Sequence, residues 1–178
     1  MKEIKYIFIV ILLVGLAGCG GRNNETGKKQ STAGITQKED GSIILELEKA
    51  FLWQDSLHPY MNTAEWSLNI SNRGRYELWI TSFTKDTMDL KYDTPVTVNF
   101  GDKRIRKTPV GNEIVLDSPA VKSDYYRADS KIGSVYVDRP GNYNIQVVSS
   151  KVLSSDLNLN GEGRHTLMKS LIIKPMTE

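Results

Sequence analysis

Ser67-Leu-Asn-Ile-Ser-Asn-Arg-Gly74-Arg-Tyr76-Glu-Leu-Trp-Ile-Thr-Ser82 can be laid, without a gap and at a constant offset of 67, over Ser134-Val-Tyr-Val-Asp-Arg-Pro-Gly141-Asn-Tyr143-Asn-Ile-Gln-Val-Val-Ser149. In each copy, apolar and polar residues alternate, a short polar turn carrying a glycine follows, and alternation resumes with a tyrosine two residues past the glycine. Period-two alternation is the mark of a half-buried strand, and glycine supplies the tight geometry of a turn between strands. The expectation is a pair of β-hairpins, each with a tyrosine ring covering its turn.

The same period recurs outward from these two stretches. Ile43-Leu45-Leu47 alternates with Ile44-Glu46-Glu48, and Val96-Val98-Phe100, Ile114-Leu116 and Leu167-Leu171-Ile173 continue the pattern. No window of twelve or more residues keeps a helical stripe. Roughly seven or eight short strands separated by turn residues predict an all-β fold, an antiparallel β-sandwich or barrel. Trp66 and Trp79 sit inside alternating strands and read as core or sheet-surface residues.

The N-terminus reads differently. Lys2 and Lys5 precede the apolar run Ile7 to Val14, which ends in Leu16-Ala17-Gly18-Cys19. A transmembrane helix needs about 20 apolar residues, so this shorter run is an export signal rather than an anchor. Leu-Ala-Gly-Cys resembles the lipobox of bacterial lipoproteins, which implies cleavage before Cys19 and acylation of its thiol. Two or three acyl chains, palmitate among them, would then hold the chain durably at a membrane. Cys19 is the only cysteine, so no internal disulfide is available and the fold rests on its core. Gly20 to about Asp40 is polar and nearly free of large apolar residues, a flexible tether. Position 20 is Gly rather than Asp, which favours the outer membrane, with the periplasmic and surface faces both open. The organisation expected is a signal peptide over 1–18, a lipidated tether over 19–40 and a β-sandwich domain over 41–178.

Removing Lys2, Glu3 and Lys5 from 23 basic and 21 acidic residues leaves a near-neutral chain. Without an excess of cations there is no electrostatic case for nucleic acid. The only histidines are His58 and His165, no HExxH or Gly-x-Ser-x-Gly motif is present, and the carboxylates are scattered through turns. The expectation is a non-catalytic protein.

Leu45-Glu46-Leu47-Glu48, Trp66 to Leu78, Ser134 to Val147 and Leu167 to Pro175, in this order and spacing, resemble galactose-binding-like jelly-roll domains, notably carbohydrate-binding modules of families 6 and 35. The resemblance implies a saccharide partner and a structural calcium near the opening Glu-x-Glu, onto which Glu46 and Glu48 map. Both would equally well face solvent on an alternating strand. Aromatic rings stacking on the C–H face of a sugar, with amide or carboxylate groups on its hydroxyls, are the expected recognition chemistry. The loop residues able to supply it are Trp53 and Tyr60, Tyr125, Tyr126 and Arg127, and Asn158 and Asn160. Trp53 follows Ala50-Phe51-Leu52 and would alternatively close one end of the core. The Asn that such modules carry just before the closing strand is replaced by Arg164-His165-Thr166. Two functions stay open: a glycan-binding lipoprotein of the cell envelope, or a structural subunit that docks onto an envelope protein complex with no sugar site.

Overall fold

The computed structural model describes residues 35, 37–121, 124–153 and 164–176. Among them ten strands run in chain order: β1 (Ile43–Glu46), β2 (Phe51–Trp53), β3 (Thr63–Ile70), β4 (Gly74–Thr84), β5 (Val96–Phe100), β6 (Lys103–Lys107), β7 (Glu113–Val115), β8 (Tyr126–Val137), β9 (Gly141–Val148) and β10 (Thr166–Pro175). They form two five-stranded sheets, ordered β1-β10-β4-β8-β7 and β2-β3-β9-β5-β6, and every pairing is antiparallel. The architecture is a β-sandwich of the jelly-roll type.

Alternation decides which side chains enter the space between the sheets. Ile43 and Leu45, then Tyr76, Leu78 and Ile80, then Met168, Leu171 and Ile173 face inward from the first sheet. Ala64, Trp66, Leu68, Ile70, Val98, Phe100, Ile145 and Val147 meet them from the second. Burying side chains of this kind stabilises by about 1.5–3 kcal/mol each, the main favourable contribution to the fold. Trp66 is fully buried, and its indole N–H is satisfied by donating to the Glu46 carbonyl at 3.0 Å. Trp79 lies on the outside of the first sheet, yet is only 8% exposed. The Lys174 ammonium sits 4.5 Å from its ring centroid, and its N–H donates to Glu77 Oε2 at 2.9 Å.

The two echoed segments are not hairpins. β3 belongs to the second sheet and β4 to the first, while β8 and β9 divide the opposite way. Each segment is therefore a corner that carries the chain from one sheet to the other, and the strands of one corner pair with those of its counterpart. β3 runs beside β9, with Ile70 opposite Gly141, and β4 beside β8, with Gly74 opposite Val137. Gly74 and Gly141 have φ of 153° and 154°, a region that side chains avoid. Tyr76 Oη donates to the carbonyl of Asn72 at 2.8 Å, and Tyr143 Oη donates to that of Arg139 at 2.7 Å. The same bond, four residues back, closes both corners in the manner of the tyrosine corner of other sandwiches. Alternation within a strand does not say which strand lies beside it, and so hairpin and corner look alike in sequence.

Local departures have local causes. Leu47 leaves the strand pattern because Leu47–Lys49 form a 3-10 turn that moves the chain from β1 to β2, although Leu47 itself stays buried. A bulge between Met168 and Ser170 places Met168 in the core and leaves Leu167 opposite Phe83 on the outer face. Leu116 lies beyond β7 and is 62% exposed. Ahead of residue 41, Ile35 already packs against the core, and Lys38 N–H donates to the Ser42 carbonyl. No helix of the described residues is long and apolar enough to cross a membrane.

Candidate functional site

The outer face of the first sheet follows from register. Thr81 and Phe83 on β4 stand beside Asp129 and Arg127 on β8, and on the other side beside Ser170 and Leu167 of β10. Ile44 on β1 faces Ile172, and Glu46 faces Ser170. These rows create an open groove of about 220 Å³, lined by the apolar Ile44, Phe83 and Ile172 and by the charged Glu46, Glu48, Arg127 and Lys169. Ala120, from the segment after β7, also lines it. This volume is below the roughly 300–1,000 Å³ of pockets that engulf a drug-sized molecule, and suits one ring of a longer ligand.

The groove has one rigid polar element. Asp129 is 2% exposed, and its carboxylate receives Arg127 Nε at 3.2 Å, Arg127 Nη2 at 2.7 Å and Thr81 Oγ1 at 2.7 Å. A bidentate guanidinium–carboxylate pair fixes the plane of the arginine. The Arg127 side chain remains one-third exposed at 33%, with the rest of its donor edge available to a ligand. Lys169 Nζ stands 5.4 Å from the Phe83 ring centroid and 3.4 Å from Glu48 Oε1.

The structure brings together three residues named from sequence, Glu46, Glu48 and Arg127, but as parts of this groove. Glu46 pairs with Lys49 at 2.7 Å and Glu48 with Lys169. Among the described residues no group of three or more His, Cys, Asp or Glu side chains stands close enough to hold a metal ion. Two glutamates, each bound to a lysine, do not by themselves make the six to eight oxygen ligands of calcium.

The other candidates lie elsewhere. Tyr125 and Tyr126 are at the strand end formed by the C-terminus of β4 and the N-terminus of β10. There Tyr125 Oη donates to the Arg164 carbonyl at 2.9 Å, Lys85 Nζ lies 5.2 Å from its ring, and Tyr126 is half-exposed at the start of β8. Tyr60 is exposed, edge-on to His58 at 5.9 Å, in the loop before β3. In that loop His58 Nδ1 lies 3.0 Å from Asp55 Oδ2, and this bond, with two backbone N–H groups, holds the Asp55 carboxyl below the usual range. Asn62 braces the loop, its amide donating to the Val152 carbonyl and its Oδ1 accepting from Asp55 N–H. Trp53 belongs to β2 and faces outward on the second sheet, 46% exposed and T-shaped against Phe51 at 5.1 Å. It does not close the core. Cys19, Asn158 and Asn160 lie outside the described residues.

Sequence reasoning missed Phe83, Lys169, Ile44 and Ile172, and with them Thr81 and Asp129. The outward positions of β1, β4, β8 and β10 could have named them, but only once those strands were known to be neighbours.

No family model and no curated protein matches the chain. Among solved structures it is similar to an α-L-fucosidase from Vibrio sp. strain EJY3, with a TM-score of 0.58 and 14% identity over 79% of this chain and 24% of that one. It is also similar to a family 35 carbohydrate binding module from Clostridium thermocellum, with a TM-score of 0.42 and 12% identity over 76% of this chain and 98% of that one. The chain thus spans about a quarter of the fucosidase, and that likeness is one of fold.

Proposed function

We propose that this chain is a lipid-tethered, non-catalytic saccharide-binding module of the cell envelope, anchored through Cys19 at the outer membrane with the residues between Cys19 and Ile35 as its spacer. The observation that supports it is the groove on the first sheet. Ile44, Phe83 and Ile172 offer an apolar floor to the C–H face of a sugar, while Arg127, held in plane by buried Asp129, and the rim residues Glu46, Glu48 and Lys169 face its hydroxyls.

The test uses the chain from residue 19 onward with Cys19→Ser, run through native gels containing galactomannan, xylan, hydroxyethylcellulose or polygalacturonate. Retardation by at least one polymer, reduced several-fold by Phe83→Ala, is the expected result. No retardation by a folded protein on any of them, together with specific pull-down of an envelope protein, would favour the structural-subunit reading. Metabolic labelling with palmitate, lost in Cys19→Ser, tests the anchor.

A further inference from the structure

The two ends of the sandwich hold different things. His58, Tyr60, Tyr125 and Tyr126 stand at the end where β3 and β8 begin and β4 finishes. Both corners lie at the other end, and there the domain also starts and stops. Ile43 opens β1 opposite Ile173, Pro175 closes β10 opposite Tyr76, and Met176 N–H donates to the Arg75 carbonyl at 2.8 Å. Gln37 ties the entering segment to the first corner, its Nε2 donating to the Gly41 carbonyl at 2.8 Å and its Oε1 accepting from Ser71 N–H at 3.4 Å.

These segments enclose an open cavity of about 700 Å³, within the roughly 300–1,000 Å³ of small-ligand sites. Arg73 and Arg75 of the corner line it, and so do Glu39 and Asp40 of the entering segment. Among the described residues none of these four side chains makes an ion pair. Asp40 Oδ1 accepts from the Ser42 N–H and hydroxyl at 2.8 and 2.7 Å, which holds the carboxyl below its ordinary range. Nothing lies within 4 Å of the place a Cβ would take on Gly74, so the corner is open between its two arginines. The bond from buried Tyr76 to the Asn72 carbonyl fixes the backbone that carries Arg73, and a frame set in advance lowers the entropy lost on binding.

Two cations and two anions that share a cavity without neutralising one another are complementary to a zwitterion. Guanidinium forks match the oxygens of a phosphodiester, and carboxylates accept from a primary ammonium. Position names the source of that zwitterion. Cys19 lies 16 positions before Ile35, and a flexible spacer of that length has a root-mean-square reach of about 20–24 Å. A domain held so close meets headgroups at high effective concentration, and does so from the end at which its chain enters. Met176, 41% exposed, adds an apolar side chain to the same cavity.

We infer that the cavity is a lipid-headgroup site: a phosphoethanolamine headgroup of the anchoring membrane enters it, phosphate toward Arg73 and Arg75 and ammonium toward Glu39 and Asp40, and the domain stands with its corner end on the bilayer. The inference rests on the lipid-anchor reading and uses none of the groove's residues. The opposite end then points away from the membrane.

The experiment takes the chain from residue 19 onward and couples its only thiol, Cys19, to a maleimide lipid in nanodiscs of phosphatidylcholine alone, of equal parts phosphatidylcholine and phosphatidylethanolamine, or of equal parts phosphatidylcholine and phosphatidylglycerol. A gadolinium-chelate lipid in each disc broadens the NMR signals of amides near the headgroups. Broadening at Ser71 to Arg75 and at Met176, strongest on phosphatidylethanolamine and absent from His58 and Tyr60, is the expected result. Arg73→Gln/Arg75→Gln should reduce it at least about threefold, and Glu39→Gln should erase the difference between phosphatidylethanolamine and phosphatidylcholine; unperturbed signals elsewhere in the spectrum show that the variants fold. Broadening no stronger at the corner end than at His58 and Tyr60, or equal on all three discs, would overturn the site. Broadening strongest on phosphatidylglycerol would reduce it to charge attraction and overturn the zwitterion assignment. Free phosphoethanolamine that shifts Arg73 and Arg75 in a chain the discs do not broaden would overturn the membrane as its source. Coupling supplies the anchor chemically, so the palmitate labelling above can fail without this result failing, and the reverse.

Discussion

Asp129→Asn is the sharpest probe of the groove. The substitution keeps size and one oxygen but removes the charge that Arg127 and Thr81 converge on, and turns an amide donor toward a guanidinium donor. Breaking a fully buried ion pair costs about 3–5 kcal/mol; because the Arg127 side chain is one-third exposed and can rehydrate, the expected loss is about 2–3 kcal/mol. With a urea dependence of roughly 2 kcal/mol per molar, the midpoint falls by about 1–1.5 M. Tryptophan fluorescence reports the transition, since Trp66 and Trp79 are both buried. Arg127→Ala should cost at least as much, because it strands a carboxylate that is only 3% exposed. The double variant should lose less than the sum of the two, as contacting residues do. A midpoint shift below about 0.3 M for Asp129→Asn, or strict additivity in the cycle, would refute the claim that this pair organises the groove.

Two further predictions concern the frame. Tyr76→Phe and Tyr143→Phe each delete one corner hydrogen bond, worth about 0.5–1.5 kcal/mol, and the buried Tyr76 should lie at the upper end and the half-buried Tyr143 at the lower, measured by urea midpoints. Lys131, donating to Glu77, and then the Trp79 N–H hold the Glu77 carboxyl below its ordinary value, so the folded state binds fewer protons than the unfolded one. That stability is complete above the unfolded carboxyl pKa of about 4.3 and fades as pH falls through the lower folded value. Glu77→Gln should therefore narrow its gap to the parent on acidification, and a gap independent of pH would contradict the assignment.

Much of the fold was legible, since alternation at Trp66-Leu68-Ile70 or Tyr143-Ile145-Val147 states which side chains meet the core. Partnership was not, because it is settled by residues far apart in sequence. The echoed segments read as hairpins, and only the pairing of β3 with β9 and β4 with β8 shows them to be corners. The same gap hid the groove. Arg127 stands in sequence beside Tyr125 and Tyr126, yet its partner is Asp129, which Thr81 also bonds, and its companions Ile44 and Ile172 come from opposite ends of the domain. Glu46 and Glu48 were visible as an acidic pair, while the lysines that answer them, one of them Lys169, were not. In sequence Trp53 resembles a loop residue because β2 has only three residues and no alternation to announce it.

The corners also govern how the polypeptide can acquire its shape. Neither holds its own two strands together, so Ile70 finds no partner strand until Gly141 has been made, and Thr84 none until Tyr126 has. Such high contact order places folding in the slow, millisecond-to-second class and postpones it until nearly the whole chain is present. Cleavage near Asp102 would leave two complementary fragments, each holding only some strands of both layers, able to form the native structure only by interleaving.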